Sequence, residues 1–262
     1  MDDLRGKAGA VSGTKGRPTA GERLPSGAER ARLVREMFDR IAGRYELLNT
    51  IMTAGLHRLW NRKVVRETGL RPGDRALDLA CGTGSLTRDL AKRVGPRGYV
   101  LGVDFSREML RVANARPAAN VEYRLGDATN LDGVASGAFD AATIAYGARN
   151  IPDLDALFSE MARVLRPGGA VVCLEIAQPE SRVFAAFYGF WFDKIVPRLG
   201  GWISGDPQAY SYLPESVKEF VAPGELSDIM ERNGLQDVTW RRLAGGIITL
   251  HRGTRGSGAG RP

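Results

Sequence analysis

Apolar positions along the chain change period once. From Ala31, the residues Leu33, Val34, Met37, Phe38, Ile41 and Ala42 recur at three-to-four spacing, which predicts an amphipathic helix. Residues 45–49 read as a break, and residues 51–68 as a second helix with Trp60, Val64 and Val65 on its apolar face. Beyond Arg75, short continuous apolar runs alternate with helical stretches. The runs at 75–79, 98–103, 121–125, 139–145 and 170–176 predict five strands. Between them, residues 85–94 predict a helix ended by Gly95-Pro96, and residues 106–114 one capped by Ser106 with Glu108 in its first turn. Residues 154–165 predict a third helix, stopped by Arg166-Pro167-Gly168-Gly169. A further helix over 223–233 and two strands, at 238–243 and 246–251, close the pattern.

Strands and helices alternating at this length imply an α/β domain, a mostly parallel seven-stranded sheet flanked by helices with right-handed crossovers. In such a sheet the ligand belongs beyond the carboxyl ends of the strands, near the switch in strand order. That rim collects residues 78–84, Asp104, 126–128 and 145–150. The expected organisation is a disordered leader over 1–30, one domain over 31–253 and a flexible tail over 254–262. Within the domain, 31–70 form an N-terminal helical cap and 177–225 a helical insertion on the substrate side. The insertion carries six aromatic residues between Phe184 and Phe192.

Composition narrows the classes. The net charge is +7, but residues 1–30 and 252–262 carry +5 of it, so the core is close to balanced and a basic groove for nucleic acid is not expected. The 2 cysteines, Cys81 and Cys173, fall at a strand end and within a strand, as expected for an intracellular chain without disulfides. With 2 histidines and no paired-cysteine spacing, no metal site is expected. There is no apolar run of spanning length and no signal peptide, which leads to the expectation of a cytoplasmic protein, with peripheral membrane contact through its basic ends or aromatic insertion.

The stretch Leu77-Asp78-Leu79-Ala80-Cys81-Gly82-Thr83-Gly84-Ser85 carries the chemistry. It runs from a buried strand through a glycine turn into a helix, with Asp78 before Gly82, Thr83 and Gly84. A dinucleotide site wants a third glycine where Thr87 stands, and no Lys-Ser/Thr pair follows for a triphosphate. An acid after the first strand, another (Asp104) after the second and a third (Asp127, with Ala128) after the third suit S-adenosyl-L-methionine better. In that reading Asp104 accepts from the ribose diol, Asp127 from the adenine amino group, and the Ala128 amide reads the ring. Cys81 reads as a packing residue, and His57 and His251 as structural more often than catalytic.

Several segments resemble a particular family. Arg166-Pro167-Gly168-Gly169 with the glycine turn looks like a class I methyltransferase, a Rossmann-like fold. More specific are Met37 to Ala42 followed by Tyr45 and Asn49, His57-Arg58-Leu59-Trp60, Tyr146-Gly147-Ala148-Arg149-Asn150, residues 210–216 and residues 245–253. These resemble the ubiquinone/menaquinone biosynthesis C-methyltransferases, from about Val34 to Gly253. The resemblance implies S-adenosylmethionine-dependent methylation of a prenylated quinol, demethylmenaquinol first, with Thr83, Asp104, Asp127 and Ala128 on the cofactor. Ala145 stands where the family often has a serine at the cofactor, so that hydroxyl contact is missing. Arg149, Asn150 and Tyr45 are the expected catalytic residues: Arg149 stabilising an aryloxide, Asn150 orienting the hydroxyl, Tyr45 bonding the ring oxygen. A benzoquinol, another small aromatic substrate, RNA methylation or a non-catalytic accessory role are the alternatives, and a homodimer is an open expectation.

Overall fold

The computed structural model describes residues 27–178 and 207–256. Helices α1 (Gly27–Ile41), α2 (Tyr45–Met52) and α3 (His57–Glu67) precede the sheet. Strand β1 (Arg75–Leu79), helix α4 (Ser85–Val94), strand β2 (Tyr99–Asp104), helix α5 (Arg107–Asn114) and strand β3 (Val121–Leu125) form its first half. Strand β4 (Phe139–Ala145), helix α6 (Leu154–Val164) and strand β5 (Leu165–Ile176) follow. After helices α7 (Pro207–Glu219) and α8 (Pro223–Arg232), the hairpin of β6 (Leu235–Leu243) and β7 (Ile248–Arg255) completes the sheet.

The strand order is β3-β2-β1-β4-β5-β7-β6. Pairing is parallel from β3 through β5, and β7 is antiparallel to both of its neighbours. Order therefore reverses between β1 and β4, the switch point beside which a ligand is expected.

Because side chains alternate across a strand, a continuous apolar run buries both faces. Leu77, Leu79, Leu101, Val171 and Cys173 pack on the side of α6 and α8, against Leu157, Phe158, Met161 and Met230. Their neighbours Ala76, Val100, Val172 and Leu174 pack on the side of α3 and α4, against Trp60, Val64, Leu86 and Leu90. A third cluster joins α1 and α2 to α5 through Val34, Met37, Ile41, Leu48 and Met109. There the Ser106 hydroxyl donates to Asp39 Oδ1 at 2.5 Å while its oxygen accepts from the Met109 amide at 3.1 Å, so one serine caps α5 and pins α1 to it.

Several boundaries differ from the sequence expectation, among them the closing strands, which run Leu235–Leu243 and Ile248–Arg255 in place of 238–243 and 246–251. The first helix opens at Gly27, four residues early. Residues 45–49 are not a break but the first turns of α2; the turn falls at 53–56, before α3. Strand β5 begins at Leu165, directly after α6, and Arg166-Pro167-Gly168-Gly169 loops out between the Phe139–Leu165 and Ala141–Ala170 pairs. The aromatic stretch from Phe184 to Phe192, the leader and the tail beyond Gly256 lie outside the described residues.

Candidate active site

A cavity of about 710 Å³ opens at the β1/β4 switch point, roofed by α2 and α3. Its floor is strained backbone. Ala80, leaving β1, has φ 48°, and Tyr146, leaving β4, has φ 59°, a left-handed conformation that is costly for side chains other than glycine. Both residues line the cavity. The two loops are packed so closely that a Cβ on Gly147 would lie 2.5 Å from the Ala80 Cβ, which accounts for glycine in Tyr146-Gly147-Ala148. At the turn after β1, Gly84 has φ 76° and the Tyr123 hydroxyl fills the place a Cβ would need.

The predicted cofactor residues divide. Asp78, Gly82, Thr83 and Ala145 line the cavity. Asp78 is buried, with Oδ2 accepting from the Thr87 hydroxyl at 2.6 Å and Oδ1 from the Thr143 hydroxyl at 2.8 Å. Asp104 is buried and accepts from the Gly82 amide at 2.8 Å and the Ser106 amide at 2.9 Å, fixing the glycine turn from β2. Burial pushes each carboxyl up to about 6, against the pull of those hydrogen bonds; the nearby Asp104 adds to the rise of Asp78, and Asp39 to that of Asp104. Asp127 and Ala128 do not line the cavity: Asp127 is exposed and its Oδ1 accepts from the Thr129 amide and hydroxyl, a turn arrangement. Their loop is tied to β2 by Gly126 donating to the Asp104 carbonyl.

On the other side, Tyr45 and Arg149 line the cavity and Asn150 does not. A Cβ on Gly82 would lie 3.9 Å from Tyr45 Cε1, so the Tyr45 ring lies over the glycine turn. Burial raises the Tyr45 phenol above its ordinary value, keeping it a neutral donor. Arg149 is buried; its Nη1 donates to Glu175 Oε1 at 2.9 Å and to the Tyr146 carbonyl at 2.6 Å. Burial works against this cation, but the facing Glu175 carboxylate outweighs it and holds the guanidinium charged. Among the described residues, Arg149 Nε and the Tyr146 hydroxyl are buried without a hydrogen-bond partner. Asn150 accepts from the Tyr212 hydroxyl at 2.9 Å, a tie between β4 and α7.

Two residues absent from the sequence expectation, Glu175 and Glu46, complete the site. Glu175, at the end of β5, orients Arg149. Glu46 of α2 accepts from the Thr83 hydroxyl and Arg88 at 3.1 Å each, and from Arg116 at 2.5 Å, clasping the cap onto the glycine turn. His57 lines the cavity, which sequence reasoning had weighed as structural. The Thr53 hydroxyl donates to the Asn49 carbonyl at 2.6 Å, so its contact with His57 Nδ1 at 2.9 Å is an N–H donation from the ring. That tautomer leaves Nε2 with a free lone pair, and burial, then Arg58, lowers the imidazole's pKa. His251, by contrast, is a core residue outside the cavity: Nε2 bonds the Pro223 carbonyl, and burial pushes it down to about 4. Cys81 lines the cavity as a buried thiol raised well above its ordinary pKa, which makes it a poor nucleophile.

Residues 26–255 match the ubiE/COQ5 methyltransferase family. The chain belongs to that family. Among its relatives, demethylmenaquinone methyltransferase of Desulfitobacterium hafniense (strain Y51) is 40% identical over 88% of this chain and 92% of its own length. Ubiquinone/menaquinone biosynthesis C-methyltransferase UbiE of Stutzerimonas stutzeri (strain A1501) is 36% identical over 87% of this chain and 91% of its own. Among solved structures, a SAM-dependent methyltransferase from Aquifex aeolicus is similar with TM-score 0.58 and 20% identity, over 80% of this chain and 97% of that one, which shows the class I fold. This member of the ubiE/COQ5 methyltransferases is thus an enzyme whose donor, by family, is S-adenosyl-L-methionine. The residues present fit such a donor: the glycine turn lies in the cavity beside the buried carboxyl of Asp78, and Asp104 fixes that turn through the Gly82 amide.

Proposed function

We propose that this enzyme methylates a ring carbon of a prenylated hydroquinone, demethylmenaquinol first among them, with S-adenosyl-L-methionine as donor. The observation that carries the reading is the pairing of two unlike halves in one cavity. The half at β1 is the glycine turn beside the buried carboxyl of Asp78. The half at β4 offers the Arg149 Nε–H and the Tyr146 hydroxyl, two buried groups that a hydroquinone oxygen would satisfy. Family membership and the names of the relatives support the same choice.

When bound, the donor supplies an electrophilic methyl on positively charged sulfur. Gly82, Thr83 and Asp78 would hold it at the turn, Asp104 acting through the turn it fixes. The ring carbon becomes nucleophilic when its neighbouring hydroxyl loses a proton; after transfer the hydrogen on that carbon leaves as a proton for the oxygen and the aromatic hydroquinone is restored, so the protein must accept one proton and hold the negative oxygen. Arg149, kept charged by Glu175, would hold the oxygen as a fixed donor. His57 Nε2 would take the proton. The cap would shield both from water. A benzoquinol is the second reading, favoured by the name of the Stutzerimonas relative.

The test is incubation with reduced demethylmenaquinone and isotopically labelled donor, followed by mass spectrometry of the extracted lipid. Label on the ring carbon supports the reading. Label on a ring oxygen, or none with the donor bound, rejects it.

A further inference from the structure

Six large apolar side chains are exposed among the described residues, and four of them lie within thirteen positions of the cap: Leu47 (55%), Ile51 (37%), Leu56 (44%) and Leu59 (49%). Leu47 and Ile51 are four apart on α2, and Leu56 and Leu59 three apart where α3 begins, so each pair shares a helix face. The same helices turn Leu48, Trp60 and Val64 inward. Residues 47–66 contain no aspartate or glutamate, and four cations: Arg58, Arg62, Lys63 and Arg66. Leu56, Arg58 and Arg62 also line the cavity, so this surface continues into its mouth.

We infer that this face of the cap docks on an anionic lipid bilayer. Apolar side chains bordered by cations, with no carboxylate among them, match the layering of a membrane interface, acyl chains beneath anionic headgroups. A second copy of the chain fits less well. A two-fold contact sets the same patch against itself, and Arg58, Arg62 and Lys63 would meet their own copies, while Arg66 has Glu67 at 3.7 Å. The reason for docking rests on the function proposed above: a prenylated substrate resides in the bilayer, and the mouth must open there.

The test is sedimentation of the full chain with vesicles of phosphatidylcholine alone or with added phosphatidylglycerol. Two variants avoid the cavity-lining residues: Leu47→Gln/Ile51→Gln/Leu59→Gln and Lys63→Gln/Arg66→Gln. The wild type should bind the anionic vesicles about ten-fold more tightly than the neutral ones, and each variant should lose about as much. Donor affinity by calorimetry, and turnover of a short-tailed hydroquinone in vesicle-free buffer, should match the wild type. Unchanged vesicle binding by the apolar variant overturns the inference. So does a wild-type dimer that the apolar variant splits in analytical ultracentrifugation. Absence of hydroquinone turnover in every protein would reject the proposed reaction while leaving the vesicle result to be judged alone.

Discussion

Asp78 is held by two threonine hydroxyls and no cation, so its charge is costly in the folded protein. Its pKa is about 6 when folded, against about 3.9 in an unfolded chain. A raised carboxyl contributes its full stability in acid and loses it as pH climbs from about 4 to 6, an effect of roughly 3 kcal/mol. Asp78→Asn should therefore gain stability relative to wild type between pH 4 and pH 7 in urea unfolding, yet bind the donor more weakly. A variant whose stability tracks the wild type at every pH would contradict the buried charge. Donor affinity of the wild type should likewise fall below about pH 6, where Asp78 and Asp104 protonate. His57 acts in the same direction on rate. As a base it works unprotonated, so turnover should decline as pH falls through its lowered pKa, below the usual 6.5. His57→Gln should cut turnover by roughly 100-fold and flatten that limb of the pH–rate profile. A variant that keeps the wild-type limb would assign the base elsewhere.

Helix α2 closes the site, and Glu46 is its catch. Burial disfavours the Glu46 carboxylate, but Arg116, Thr83 and Arg88 outweigh that and lower its pKa. Glu46→Gln should loosen the cap, raising the KM for the donor about 10-fold with kcat nearly unchanged. A fall in kcat alone would instead place Glu46 in the chemistry. The cap is also where sequence reading fell short. Tyr45, Glu46, Asn49 and Thr50 of α2 all line the cavity, so polar residues occupy a face that a core-packed helix would fill with apolar ones, and the period looks broken. The strands and α4 to α6 were legible because their signals are local: apolar runs, the Ser106 cap, Gly95 after α4. Glu175 left a signal of the same kind, one acid closing the apolar run that begins at Ala170, as Asp78 and Asp104 do in theirs. Its partner Arg149 lies 26 residues away and Thr83 lies 37 from Glu46, so pairings of this sort follow from topology rather than from spacing.

At the scale of the whole molecule, the sheet's reversal between β1 and β4 brings a glycine turn with a buried aspartate and a buried arginine to one cavity, and the cap connects that cavity to an apolar, cationic surface. Arg149 is the point at which this arrangement becomes chemistry. Arg149→Lys keeps a cation opposite Glu175 but lacks Nε, the donor left for a substrate oxygen. The decisive measurement is single-turnover methyl transfer to a demethylnaphthohydroquinone by this variant, with donor affinity taken in parallel by calorimetry. Transfer should slow by about 100-fold while the donor Kd stays near that of the wild type. Transfer at the wild-type rate would contradict the assignment of that cavity to an ionised hydroquinone.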